Sequence, residues 1–211
     1  MPSTTLSSLI KKQILSNSQG WVFSAHDLTQ CDADRGTIDV ILHRLAKQDI
    51  IRRLGYGLYD IPRKSSLLGD LSPDINDVIA AYSKRMGQVF VLAPLNAANA
   101  LGLTTQVPSQ LTYLTDGKSH TLAICGMHIH LIHASPKVIS GSDSPIGIFI
   151  QALRYFGAKG APDHIIDRIA KKLTYDDVFN LRPIKNKVMR NLAPQLDRIE
   201  QRAALMNNVM G

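Results

Sequence analysis

The segment of residues 50–62 most constrains what this chain can fold into. Two runs rich in β-branched and aromatic residues, 50–54 and 58–62, flank the glycine-bearing tip Gly55-Tyr56-Gly57. This arrangement predicts a β-hairpin. Arg52 and Arg53 fall in its first strand, where successive side chains point to opposite faces. At least one of the two is therefore open to a structural role, such as solvated surface charge or a pair with Asp49.

Three helices are predicted before the hairpin. Apolar residues recur at helical spacing in residues 6–15, and Ser24 is placed to cap a second, short helix over residues 25–29. The third helix begins near Asp34, which is expected to cap it rather than to contact a base. Its predicted buried stripe consists of Ile38, Ile41, Leu42 and Leu45. Its other face carries Arg35, Thr37, Asp39, His43, Arg44 and Lys47.

Helix, short helix, longer helix and basic hairpin is the order of a winged helix-turn-helix, predicted over residues 1–64. In such a module the third helix enters the major groove of DNA and the hairpin, or wing, holds the phosphate backbone. For Tyr56, a plain turn position is the alternative to a DNA contact. The predicted DNA-binding residues are Arg35, Thr37, His43, Arg44, Arg52, Arg53, Tyr56, Arg63 and Lys64.

The distribution of charge agrees with a polyanionic partner. The formal net charge is +7, with nine Lys and Arg against six acids in residues 1–64 and eleven against six in residues 151–211. Residues 65–150 hold four against five. A basic excess confined to parts of a chain is typical of nucleic-acid binding.

The remaining two thirds predict a second domain over residues 70–211, after a linker-like stretch from Arg63 to Gly69. The segment Ser72-Pro73-Asp74 is predicted to cap a helix that runs to about Met86, and Pro94 opens a small-residue helix. Strands are predicted over residues 88–92, 111–115, 121–124 and 127–133, with Asp116-Gly117 as a hairpin turn between the second and third. Helices follow over residues 145–156, 162–172, 175–181 and 184–206. The expected fold class is therefore mixed α+β, with a winged module before an α/β domain that has a small sheet and a helical end.

Several phrases resemble the antitoxins of the AbiEi type, from abortive-infection toxin–antitoxin systems. The helix end Leu42-His43-Arg44-Leu45 and the element Gly55-x-Gly57-x-Tyr59-x-x-Pro62 are similar to that family's N-terminal winged domain. One departure is Tyr56, where many relatives carry a basic residue. Similar phrases in the second half are residues 113–117, 133–136 and 152–157.

The resemblance implies two activities. The winged domain of such antitoxins represses their own operon by binding operator DNA, and the second half counters a nucleotidyltransferase toxin. The cations Arg182, Lys185, Lys187 and Arg190 are the predicted partner-binding residues, because a nucleotidyltransferase exposes acidic residues in its metal-binding cleft. A solvated helix face is the alternative for the same cations. The alternative function is a winged-helix transcription factor whose second domain senses a ligand or dimerises.

Catalysis, metals and cofactors find little support in the sequence. His128, His130 and His133, with Cys125 and His120 nearby, are the strongest metal candidates, but their alternation with apolar residues also fits a half-exposed strand. Asp176 and Asp177 follow Thr174 as acids do in a first helical turn. We therefore predict a protein that is not an enzyme and has no metal or other cofactor. A nucleic-acid-modifying enzyme that uses the histidine strand is the third hypothesis.

The expected location is the cytoplasm. No run approaches the roughly 20 apolar residues that a membrane span needs, so no membrane partner is expected. The lysines of residues 1–15 follow the apolar residues, which is the wrong order for a signal peptide. Two cysteines far apart are typical of free thiols in a reducing compartment.

Overall fold

A computed structural model describes residues 5–31, 34–141, 144, 146–186, 188 and 190–209. It divides into two compact units, residues 1–88 with 123–127 and residues 89–122 with 128–211. Both units mix helices with antiparallel strands, and the second also contains a parallel strand pair, so the predicted α+β class is confirmed. The predicted domain boundary falls between residues 64 and 70, whereas the compact units divide after Gln88. A winged domain confined to residues 1–64 stays a prediction.

The first unit follows the predicted order of elements. Helix α1 (Leu6–Leu15) leads to strand β1 (Val22–Ser24), a 3-10 helix (Ala25–Cys31) and helix α2 (Arg35–Lys47). Strands β2 (Arg52–Gly55) and β3 (Leu58–Asp60) form the predicted hairpin, and β1 joins it to give an antiparallel sheet of order β1-β3-β2. The four residues predicted as the buried stripe of α2 are all buried.

The segment predicted as a linker contains a second, short hairpin. Strand β4 (Lys64–Ser65) pairs with β5 (Gly69–Asp70), and the hydroxyl of Ser65 accepts the N–H groups of Leu67 and Leu68. Helix α3 (Ile75–Met86) follows, and its N-cap is Asp74, the last residue of the predicted cap Ser72-Pro73-Asp74. Its buried residues Val78, Ile79, Ala81 and Tyr82 belong to the first unit, in which α3 contacts β1 and β3.

The four-stranded sheet corrects one prediction. Strands β6 (Phe90–Leu92), β7 (Leu111–Thr115), β8 (His120–Ile124) and β9 (Met127–His133) have the order β6-β7-β9-β8, so β9 pairs in parallel with β7. The predicted hairpin between residues 111–115 and 121–124 is wrong. Asp116 accepts the N–H of Val89 instead, and Gly117 lacks the positive φ that a type I′ turn requires. The tight turn is Cys125-Gly126, with φ of 53° and 76°.

The helices of the second unit pack around one apolar core. Helix α4 (Pro94–Ala100) lies against α6 (Gly147–Tyr155), and α7 (Asp163–Ala170) lies against α9 (Ala193–Val209). Helices α5 (Pro136–Ile139) and α8 (Tyr175–Lys185) also belong to this unit, and Thr174 and Asp177 form a reciprocal capping box at the start of α8. The single helix predicted over residues 184–206 is wrong, since α8 continues to Lys185 and α9 begins at Ala193.

Candidate nucleic-acid interface

Helix α2 has one polar face, because the apolar residues of its opposite face are buried in the core of the first unit. Asp34 accepts the backbone N–H of Thr37 at 3.1 Å and also its hydroxyl, and this side-chain bond is the main reason that the pKa of Asp34 lies below its usual value. Thr37 was predicted to contact DNA, but its hydroxyl donates a hydrogen bond to Asp34 in the helix cap. Arg35 and His43 are exposed, at positions that helical spacing places in one row along the helix.

A basic cleft of about 380 Å³ lies beside this row in the first unit. Among its lining residues, three arginines and two histidines face a single carboxylate, that of Asp39. The basic cleft is lined by Ala25, His26, Arg35, Asp39, His43, Arg53, Gly57, Tyr59 and Arg85. A concave surface with this excess of cations favours a polyanion, because the fields of several like charges add within one cleft.

The two arginines of β2 have different surroundings. Arg53 is exposed and lines the basic cleft, whereas Arg52 forms a bidentate pair with Asp60, with Nε 3.0 Å from Oδ1 and Nη2 2.6 Å from Oδ2. Nη2 also donates to the carbonyl of Leu71 at 2.8 Å. Asp60 is fully buried, and its hydrogen bond is the main cause that raises the pKa of Arg52. The predicted phosphate contact at Arg52 is thus a structural ion pair here.

The hairpin tip is also directed onto its own unit. Tyr56 and Gly57 have φ of 52° and 69°, as a type I′ turn requires, and a tyrosine in this region is strained. The Tyr56 ring meets Tyr82 edge-on at 6.1 Å, and its hydroxyl accepts the N–H of Ala123 at 3.4 Å. The structure therefore places Tyr56 in intramolecular contacts.

Arg85 is the arginine of the basic cleft that sequence reasoning missed. It lies near the end of α3, beyond the predicted winged module, yet it lines the basic cleft. A Cβ added to Gly57 would fall 2.8 Å from Nε of Arg85, so glycine at the turn leaves room for the guanidinium. The sequence does contain the pair Lys84-Arg85 in the last turn of a helix. Cations are common at that position because they interact favourably with the negative end of the helix dipole, so the pair by itself does not indicate a binding site.

The remaining predicted DNA contacts do not line the basic cleft. Arg44 and Lys64 are exposed, and Arg63 lies 4.0 Å from Asp77 in an exposed pair. The structure thus brings together Arg35, His43 and Arg53 from the predicted set. Thr37, Arg44, Arg52, Tyr56, Arg63 and Lys64 lie outside the basic cleft.

The model of a family of unknown function, DUF6088, matches residues 9–181. The chain belongs to the DUF6088 family. The matched region contains every residue that lines the basic cleft and ends one residue before Arg182, the first predicted partner-binding cation. A search among curated proteins found no match.

In this DUF6088 chain two of the four predicted partner-binding cations are paired within the second unit. Arg182 donates to Glu200 at 2.8 Å, and Lys185 donates to Asp197 at 2.5 Å and to Glu200. The bond from Lys185 is the main cause that lowers the pKa of Glu200. Arg190 is exposed, and Lys187 lies outside the described residues. Arg182 and Lys185 thus join α8 to α9, which leaves less positive charge for an acidic partner.

In this DUF6088 chain, two histidines of strand β9 form hydrogen bonds with neighbouring residues. Nδ1 of His133 lies 2.9 Å from the carbonyl of Gly117, and Nδ1 of His130 lies 3.3 Å from the hydroxyl of Thr121. No group of three or more His, Cys, Asp or Glu placed to hold a metal occurs among the residues that the structure describes. Within the same residues, no helix is long and apolar enough to cross a membrane.

Proposed function

We propose that this protein binds double-stranded DNA through a winged helix-turn-helix in its first unit. The order α1, β1, 3-10 helix, α2, β2, β3 and the sheet order β1-β3-β2 support this assignment. In it, α2 is the recognition helix and the β2–β3 hairpin is the wing. An α-helix with its side chains is about as wide as the major groove of DNA, roughly 12 Å, so an exposed α2 has the dimensions needed to enter it.

The basic cleft is the observation that carries the proposal. Arg35 comes from the start of α2, Arg53 from the wing and Arg85 from α3, so three separate elements converge on one cation-rich surface. Guanidinium groups bind phosphate oxygens through paired hydrogen bonds, and such contacts fix a protein on the duplex without reading its sequence. In this proposal His43 and Arg44, which are exposed further along α2, contact base edges in the groove.

Replacing the three cleft arginines should abolish most DNA binding. Each phosphate contact contributes a slope of about −0.9 to the dependence of log affinity on log salt, so the triple variant Arg35→Ala/Arg53→Ala/Arg85→Ala should flatten the slope by roughly two to three. Fluorescence anisotropy over a salt series, with duplexes that tile the DNA upstream of the gene, measures both quantities. The exposed cation Lys11 on α1 supplies the control variant, Lys11→Ala.

The outcome separates sequence reading from phosphate binding. His43→Ala and Arg44→Ala should alter the preference among duplexes, whereas the triple arginine variant should weaken all duplexes alike. Equal slopes for the triple variant, Lys11→Ala and the unaltered protein would refute the basic cleft as the DNA site.

The proposal extends to autoregulation and antitoxin activity. The supporting observation is the resemblance in residues 42–62, 113–117, 133–136 and 152–157, which spans both units. In this account the first unit represses the operon, and the second counters a nucleotidyltransferase-type toxin.

A neighbouring gene tests the antitoxin part. Where a nucleotidyltransferase is encoded beside this gene, its expression alone should arrest growth, and co-expression of this protein should restore growth. The triple cleft variant should still restore growth, because protection is assigned to the second unit. Loss of protection in a stably folded triple variant, or no protection by the unaltered protein, would contradict this assignment.

A further inference from the structure

The second unit contains a cavity of about 480 Å³ between strand β7, helix α4 and the end of helix α6. Its size lies within the range of small-molecule sites in proteins. Apolar groups of Ala93, Pro94, Leu95 and Pro108 form one part of the wall. The polar part consists of Asn96, Ser109, Gln110, Thr112, Arg154 and Tyr155.

Arg154 is the only charged residue among those that line this cavity. Its Nη2 donates to the carbonyl of Lys137 at 3.0 Å, while its Nε is buried and has no hydrogen-bond partner. The structure records no carboxylate paired with Arg154 among the residues it describes. Burial is the cause that lowers the pKa of Arg154, with no acid to offset it.

Arg154 differs from two other arginines of this unit, which form ion pairs between helices. Arg182 meets Glu200, and Arg198 meets Asp163, so each of those charges has an acidic partner in the fold. Removing a charge from water is costly unless a counter-charge and hydrogen bonds replace the water. Arg154 is therefore a positive charge at a cavity wall whose counter-ion the described chain does not supply.

The neighbouring side chains show what kind of group would complete the site. Ser109 and Thr112 add hydroxyl donors to the wall, while Tyr155 directs its hydroxyl to Gln106 at 2.9 Å. One cation with hydroxyl donors matches a single negative charge, and the planar guanidinium matches a planar carboxylate. A phosphate dianion would leave one charge without a partner. The apolar part of the wall suits a hydrocarbon or ring portion of the same molecule.

We propose that this cavity binds a small organic carboxylate, with its carboxylate group on Arg154 and its apolar portion against Pro94, Leu95 and Pro108. The inference is independent of the proposed DNA-binding function, because every residue involved lies in the second unit. It assigns a ligand class to the second unit and a binding role to Arg154.

Benzoate is a suitable probe, with benzamide as its neutral counterpart and inorganic phosphate as a different anion. At constant ionic strength, benzoate should raise the melting temperature of the full-length protein in a saturable way, whereas benzamide and phosphate should not. Arg154→Met should weaken benzoate binding at least about tenfold, measured by calorimetry, because hydrogen bonds to a charged group are lost. Arg168→Met, at an exposed position on α7, should bind benzoate like the unaltered protein.

A second variant and a ligand-free measurement keep the proposal testable if Arg154→Met folds poorly. Arg154→Lys keeps the charge but loses the planar fork, and it should bind benzoate more weakly than arginine and more tightly than methionine. Without ligand, Arg154→Met should melt no lower than the unaltered protein, since it removes an unpaired charge. Failure of benzoate to protect, equal protection by benzamide, or stronger Arg154-dependent protection by phosphate would overturn the proposal.

Discussion

Arg52→Met should lower the free energy of unfolding by about 3–5 kcal/mol, which is the usual cost of removing one partner of a buried ion pair. Asp60 is fully buried, so the loss of Arg52 leaves its carboxylate without water and without a counter-charge. The carbonyl of Leu71 loses a donor at the same time. Urea unfolding followed by the fluorescence of Trp21, which stacks on Phe23 at 4.4 Å in the first unit, measures the change.

The adjacent arginine is the matched control. Arg53→Met changes the same residue type on the same strand, but Arg53 is exposed, so the expected change is within about 0.5 kcal/mol. The double variant Arg52→Met/Asp60→Leu removes both charges and should recover most of the stability that Arg52→Met loses. Equal losses for Arg52→Met and Arg53→Met, or no recovery in the double variant, would show that the pair does not have this structural role.

Arg52 and Arg53 therefore affect different properties of the hairpin, namely folding and DNA contact. Period-two alternation predicts that Arg52 and Arg53 face opposite sides, but it does not say which side holds a carboxylate. That choice depends on the strand register, which aligns Arg52 with Asp60 eight residues later. A double replacement of Arg52 and Arg53 would therefore mix a loss of folding with a loss of contact, and Arg53 alone isolates the contact.

Local patterns predicted most of the first unit, because its elements are adjacent in the chain. The stripe of α2, the cap at Asp34 and the hairpin at Tyr56-Gly57 all depend on residues within a few positions of each other. Arg85 could not be assigned to the basic cleft in this way. Its position depends on how α3 packs against β1 and β3, which is a contact between distant parts of the sequence.

The second unit shows the same limit in its sheet and its charges. Asp116-Gly117 is a strong hairpin signal, yet β9 takes the place beside β7, and no local pattern reports a parallel pairing of that kind. The cations of α8 looked free in sequence because their partners Asp197 and Glu200 lie on the following helix. Sequence spacing predicted the charges correctly but not their neutralisation.

Helix α3 should decide where the first unit can be cut. A fragment of residues 1–88 should fold, whereas a fragment of residues 1–64 should be largely unfolded. The shorter fragment loses the buried side chains of Val78, Ile79 and Tyr82, and each large apolar side chain contributes about 1.5–3 kcal/mol when buried. Their sum, on the order of 5 kcal/mol, is comparable to the whole stability of a small domain.

Circular dichroism and thermal unfolding of the two fragments measure the difference. A version of residues 1–88 with Val78→Ser and Tyr82→Ser has the full length without the apolar face, and it should behave like residues 1–64.

The complementary fragments extend the test. Residues 70–211 carry the apolar face of α3 without β1 and β3 and should aggregate more readily than residues 89–211. A cooperative transition for residues 1–64, matching that of residues 1–88, would instead place the domain boundary at the short hairpin of β4 and β5, because α3 would then contribute nothing essential to the fold of the first unit.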